Sequence, residues 1–122
     1  MGAVTNIRSN HGVFADEGAA LASIVSRLRD ALDPKEIWLF GSRARGEARP
    51  DSDFDLLVVA KRGGAFGSDD YEIVDAPLNG CGVGCDIVPC SAKDFEDGAA
   101  LPTSFVSRIL REGRKLYDAG SP

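Results

Sequence analysis

Gly41-Ser42, ten intervening residues, and then Asp53-Phe54-Asp55 is the spacing in this chain that could do chemistry. The apolar run Ile37-Trp38-Leu39-Phe40 ends at the small-residue pair. A polar loop containing Arg43, Arg45 and Arg49 follows, and the two acids open a second apolar run through Val59. Side chains alternate along a strand, so Asp53 and Asp55 share one face while Phe54 and Leu56 share the other. Two carboxylates on one face repel and need a strong counter-charge. A hard divalent cation such as Mg²⁺ takes oxygen ligands and keeps positions open for phosphate. Gly41 would let backbone approach a triphosphate with no Cβ in the way. Ser42 adds a hydroxyl, and a short helix starting there would turn its amides toward phosphate. Arg43 and Arg45 bring guanidinium groups able to grip phosphate at two points. Asp-x-Asp or Gly-Ser alone would suit an ordinary solvated loop or turn; the conjunction is what carries information.

Phe40-Gly41-Ser42-Arg43-Ala44-Arg45-Gly46 through Ser52-Asp53-Phe54-Asp55-Leu56 resembles the signature of the minimal nucleotidyltransferases, in the superfamily that includes DNA polymerase beta. Cys85-Asp86-Ile87-Val88-Pro89 is similar to the strand carrying that family's third carboxylate. Phe105 to Tyr117 looks like its closing helix and short strand. The resemblance implies the polymerase beta-like fold and transfer of AMP from ATP with two Mg²⁺ ions. It makes Asp53, Asp55 and Asp86 the catalytic metal ligands, with Asp86 able to receive the acceptor's proton. Gly41 and Ser42 would touch the terminal phosphates, and Arg43 and Arg45 would join the nucleotide site. It also implies a partner, because minimal members pair with a HEPN ribonuclease toxin. The nucleotidyltransferase is then the antitoxin and modifies the toxin with AMP, often on a tyrosine.

Elements must position these residues. At 122 residues the length fits one domain with a real core. Ala19, Leu21, Ile24, Val25, Leu28 and Leu32 recur at helical spacing and predict a helix from Asp16 to Leu32, stopped by Asp33-Pro34. Glu36–Phe40 and Phe54–Ala60 read as strands, Lys61–Gly67 as a Gly-rich loop, and Asp70–Leu78 as a short helix. Gly82–Pro89 is expected to be a strand holding Asp86. Ser91 is placed as the cap of a helix ending near Gly98, with Asp94 in its first turn. Thr103–Glu112 is the last helix, with Gly113 as its C′ residue, and Arg114–Asp118 a final edge strand. The sum is an α+β (α/β-like) domain over residues 16–118, a small mixed sheet with helices on one side. Residues 1–15 are expected to form a flexible tail and 119–122 a loose end.

Composition narrows the partners. Nineteen acidic residues against fourteen basic give a net charge of −5, without the general basic face of a nucleic-acid binder. The arginines beside the carboxylates suit one triphosphate better than a long polynucleotide. No apolar run approaches membrane-spanning length and no signal pattern opens the chain, so the cytoplasm is the expected location. Cys81, Cys85 and Cys90 with one distant His11 lack the paired spacing of a zinc site, and reduced thiols are expected. Arg49 and Asp51 read as loop solvation. Two other readings use the same residues. One is a binding module that neutralises a partner by contact alone. The other is a dimeric enzyme acting on a small molecule of aminoglycoside type, self-association being left open by the sheet edges.

Overall fold

A computed structural model describes residues 17–49 and 52–120. The expected tail with His11, the helix-opening Asp16, and Asp51 in the loop lie outside the described residues. Helix α1 runs Glu17–Leu32 and buries Ala20, Leu21, Ile24, Leu28 and Leu32 along one stripe. Glu17 in its first turn and Arg29 in its last suit the helix dipole. It stops where Asp33 turns left-handed (φ 48°) ahead of Pro34, since a residue before proline is excluded from continuing the helix.

The remaining elements are β1 (Glu36–Phe40), the single turn α2 (Gly41–Ala44), β2 (Phe54–Val59), α3 (Tyr71–Asp75), β3 (Cys85–Cys90), α4 (Ala92–Ala100), α5 (Phe105–Glu112) and β4 (Arg114–Asp118). The sheet order is β3-β2-β1-β4. β1 pairs antiparallel with both β2 and β4, whereas β2 and β3 are parallel, so the sheet is mixed as expected. Among the described residues no helix is long and apolar enough to cross a membrane.

The layering departs from the one-sided arrangement expected. Leu56 and Val58 of β2 join one core with Ile24 and Leu28 of α1 and Val74 of α3. Leu57 and Val59 join a second core on the opposite face, with Val106 and Ile109 of α5. Beyond Asp55 the run Leu56 to Val59 is apolar on both faces, so both must be covered. Burying each such Leu or Val stabilises by about 1.5–3 kcal/mol.

Local chemistry shifts three boundaries. β3 starts at Cys85 rather than Gly82, because Gly80 and Gly82 adopt positive φ (76° and 91°) and turn the chain. The expected 70–78 helix is α3 followed by a 3₁₀ turn, Ala76–Leu78, with Pro77 near its start. Gly113 ends α5 in extended, not left-handed, backbone (φ −88°, ψ −179°). Glycine is needed there for space instead, since a Cβ would stand 2.7 Å from both the Ile109 and Leu39 carbonyl oxygens. Ser91 and Ser104 cap α4 and α5 by accepting from the Asp94 and Ser107 amides.

α4 and α5 meet through small residues. The buried Ser107 hydroxyl donates toward the Gly98 and Leu101 carbonyls at 2.9 and 2.8 Å. A Cβ on Gly98 would stand 2.7 Å from Val106 Cβ. Helix propensity favours alanine at Gly98 by about 1 kcal/mol, but overpacking at that contact costs about 1–3 kcal/mol. Gly98→Ala is therefore expected to lower the urea midpoint; a raised midpoint would show that the two helices separate freely.

Candidate functional site

Strand register gathers the acids. Asp55 of β2 lies directly opposite Asp86 of β3 in the parallel pair, and Asp53, two residues earlier, falls on the same face. That face is the one covered by α4 and α5 farther along the sheet. The Phe54 amide donates to the Gly84 carbonyl at 2.9 Å, which ties the start of β2 to the turn before β3. On the other side Phe40 pairs with Asp55, so the chain leaves β1 beside that carboxylate.

Gly41 is required there twice over. Its φ is +74°, a region costly for side-chain-bearing residues. A Cβ on it would also run into the Asp55 carboxylate, with the Asp55 Cγ only 3.1 Å away. α2 follows at once, and no side chain caps the turn, the position an anion would take. Ser42 thus sits at the start of the turn, as the spacing predicted.

The acids act on one another. Burial raises the Asp55 pKa above the ordinary carboxylate value, Asp86 and then Asp53 raise it further, and Arg45 pulls it partly back. Asp53 and Asp86 are exposed, so the cluster opens to solvent. Among the described residues no three His, Cys, Asp or Glu side chains are gathered tightly enough to hold a metal ion. The backbone aligns these three like charges, and Coulomb repulsion opposes their closer approach. As a donor set, carboxylates alone beside a cleft that a Cβ would fill fit a hard cation such as Mg²⁺.

The two arginines part company. Arg43 is turned into the chain, its side chain only 6% exposed. It donates to the Ser52 carbonyl from Nε at 3.0 Å and Nη2 at 2.7 Å, and to Glu17 Oε2 at 3.0 Å. Its guanidinium also stacks 4.2 Å from the Phe54 ring centroid. Ser52 immediately precedes Asp53, so Arg43 locks the Gly-Ser turn to the acid strand and to α1. Arg45 faces the site: it is exposed, held by Glu47 at 2.9 Å, and close enough to act on Asp55. Arg49 is exposed in the loop, where its amide donates to the Ser52 hydroxyl.

Sequence reading missed the wall contributed by α5. A cavity of about 210 Å³ beside Gly41 is lined by Phe40, Arg45, Phe105, Arg108 and Glu112. Arg108 and Glu112 are four residues apart and so share a helix face, but nothing local says which element that face meets. Larger cavities of about 490 and 570 Å³ lie around Ala60 to Phe66 and around Lys35 and Phe95, at the end of β2 remote from Asp55. The three cysteines are free thiols. Burial raises the Cys85 pKa strongly and pushes that of Cys90 up to about 11, which keeps both protonated.

Asp55 and Asp86 face each other beside the Gly41 turn, on a mixed four-stranded sheet. The family model of the nucleotidyltransferase domain matches residues 21–116. The chain belongs to that family and is a nucleotidyltransferase. Its fold is similar to that of a toxin–antitoxin crystallised with AMP-PNP (TM-score 0.55, 22% identity, covering 81% of this chain and 73% of that one). A Sulfolobus solfataricus protein provisionally assigned as a nucleotidyltransferase is similar too (TM-score 0.52, 24% identity, 81% and 78% covered). So is a mutant of the toxin–antitoxin MntA-HpeT (TM-score 0.52, 20% identity, 81% and 73% covered). No curated protein matches the chain.

Two substitutions test this geometry. Gly41→Ala should lower stability by about 2 kcal/mol through backbone strain and the clash with Asp55, and should abolish nucleotide binding. Wild-type binding in this variant would refute the close approach. For Asp55 the sign is the reverse of an ordinary carboxylate. Its raised pKa contributes stability that is complete below the unfolded value and is lost as pH rises through the folded one. Asp55→Asn should therefore raise the melting temperature of the ligand-free protein at neutral pH, the gain disappearing below about pH 4. A lower melting temperature at pH 7 would mean that Asp55 is not under repulsion.

Proposed function

We propose that this nucleotidyltransferase moves AMP from ATP to a hydroxyl on a partner protein, a tyrosine of a HEPN ribonuclease toxin, and so acts as its antitoxin. The observation that carries this is the pairing of Asp55 with Asp86 across β2 and β3, directly beside Gly41. Asp53, Asp55 and Asp86 would hold Mg²⁺, which when bound supplies neutralisation of the triphosphate charge and activation of the acceptor. In the transfer the acceptor oxygen bonds to the α-phosphorus, the bond from that phosphorus to the bridging oxygen breaks, and pyrophosphate leaves. Asp86, on the strand beyond Asp55, receives the acceptor's proton. Gly41 admits the outer phosphates against backbone, Ser42 donates its hydroxyl to them, and Arg45 adds positive charge. Arg43 keeps the turn and the acid strand in register. ATP as the donor draws support from the similar toxin–antitoxin crystallised with AMP-PNP, an ATP analogue; the toxin partner draws it from that structure and from MntA-HpeT.

α-Labelled ATP and Mg²⁺ with a lysate of the source cells provide the test. A labelled protein band is expected with the wild type and should vanish with Asp53→Asn/Asp55→Asn. Undiminished labelling by the double variant would overturn the catalytic assignment. If the double variant still protects cells from the toxin, neutralisation works by contact instead.

A further inference from the structure

The α5 wall faces a difficulty that the three acids create. ATP brings a strongly negative triphosphate to a cluster of like charge, and Arg45 is the cation acting on Asp55 from this side. A second arginine borders the same cavity: Arg108, from a helix far along the chain, lines it together with Gly41 and Arg45. Both arginines are held by exposed acids, Arg45 by Glu47 at 2.9 Å and Arg108 by Glu112 at 3.4 Å. Glu112 lines the same cavity, and its charge also reaches Arg45, more weakly than that of Glu47. Exposed pairs of this kind are weak and exchange readily for a better anion, whereas a guanidinium grips phosphate at two points.

Size and lining decide what enters. At about 210 Å³ the cavity is smaller than the usual range for a drug-sized ligand, so it suits a phosphate group rather than a whole nucleoside. Its floor is apolar. Phe40 and Phe105 meet edge to face at 5.3 Å and Ile109 is buried beside them. An apolar floor lowers the local dielectric and strengthens a guanidinium–phosphate contact.

Resting on the nucleotidyltransferase reading above, we propose that Arg108 and Arg45 form a two-armed clamp for the outer phosphates of the nucleoside triphosphate, with Glu112 as the counter-ion that the phosphates displace. Arg108 is then a substrate-binding residue supplied by the last helix, and the specificity it confers is for triphosphate over monophosphate.

The test uses the full chain and three probes: ATP, inorganic tripolyphosphate and AMP, each measured by equilibrium titration. Arg108→Ala should weaken ATP and tripolyphosphate about tenfold, the scale of one charged hydrogen-bonded contact, and leave AMP unchanged. Arg108→Lys should recover part of the loss, and Glu112→Gln should tighten both polyphosphates. In turnover, Arg108→Ala should raise the KM for ATP more than it lowers kcat. The side chain is exposed, and an unchanged circular dichroism spectrum will show that the variant folds. Unaltered tripolyphosphate binding by Arg108→Ala would overturn the clamp. So would an equal loss for AMP, which would place the nucleoside in the cavity. The two readings fail separately. AMP transfer with an unchanged KM in Arg108→Ala removes the clamp and leaves the enzyme. Arg108-dependent tripolyphosphate binding in a wild type that transfers nothing leaves the clamp and removes the proposed reaction. No polyphosphate binding by the wild type removes both.

Discussion

Repulsion between Asp55 and Asp86 is the constraint on which the rest of the structure turns. Placing two carboxylates opposite each other in a parallel strand pair is unfavourable, and burial of Asp55 adds to the cost. The arrangement persists because the pairing is held elsewhere. Leu56 to Val59 continue from Asp55 and are buried on both faces of the sheet, with α1 and α3 on one side and α5 on the other. A strand anchored on both faces cannot slip its register, because a shift of one residue would exchange every side chain between the two cores. Hydrophobic burial thus holds together charges that would otherwise separate.

Arg43 extends the same logic to the turn. Its guanidinium bonds the Ser52 carbonyl twice, pairs with Glu17 and lies over Phe54. Through one side chain, α1, the Gly-Ser turn and the first residues of the acid strand become a single unit. Such a contact positions rather than reacts, and it explains why two arginines two residues apart have such different surroundings. Arg45 is left facing the acids with only exposed counter-ions.

Much of this was legible from local pattern. The stripe of α1, the strands β1, β2 and β4, the Ser91 cap of α4 and the α+β class follow from periodicity and cap chemistry that act within a few residues. Where reading failed, a non-local cause was at work. β3 starts late because of left-handed glycines. Gly113 is dictated by the approach of Leu39, and the two-sided layering by where α5 docks.

By itself, the sequence determined the spacing of Gly41-Ser42 and of Asp53 and Asp55. The Gly-Ser turn and the alternation of Asp53 and Asp55 are matters of short spacing, and short spacing is enforced by covalent geometry and the pleat of a strand. Only the tertiary structure decided which partners those residues meet: Asp86 against Asp55, Glu17 against Arg43, and Arg108 lining one cavity with Arg45. These pairings join residues distant along the chain. They arise from how buried faces pack and strands register, which no local spacing encodes.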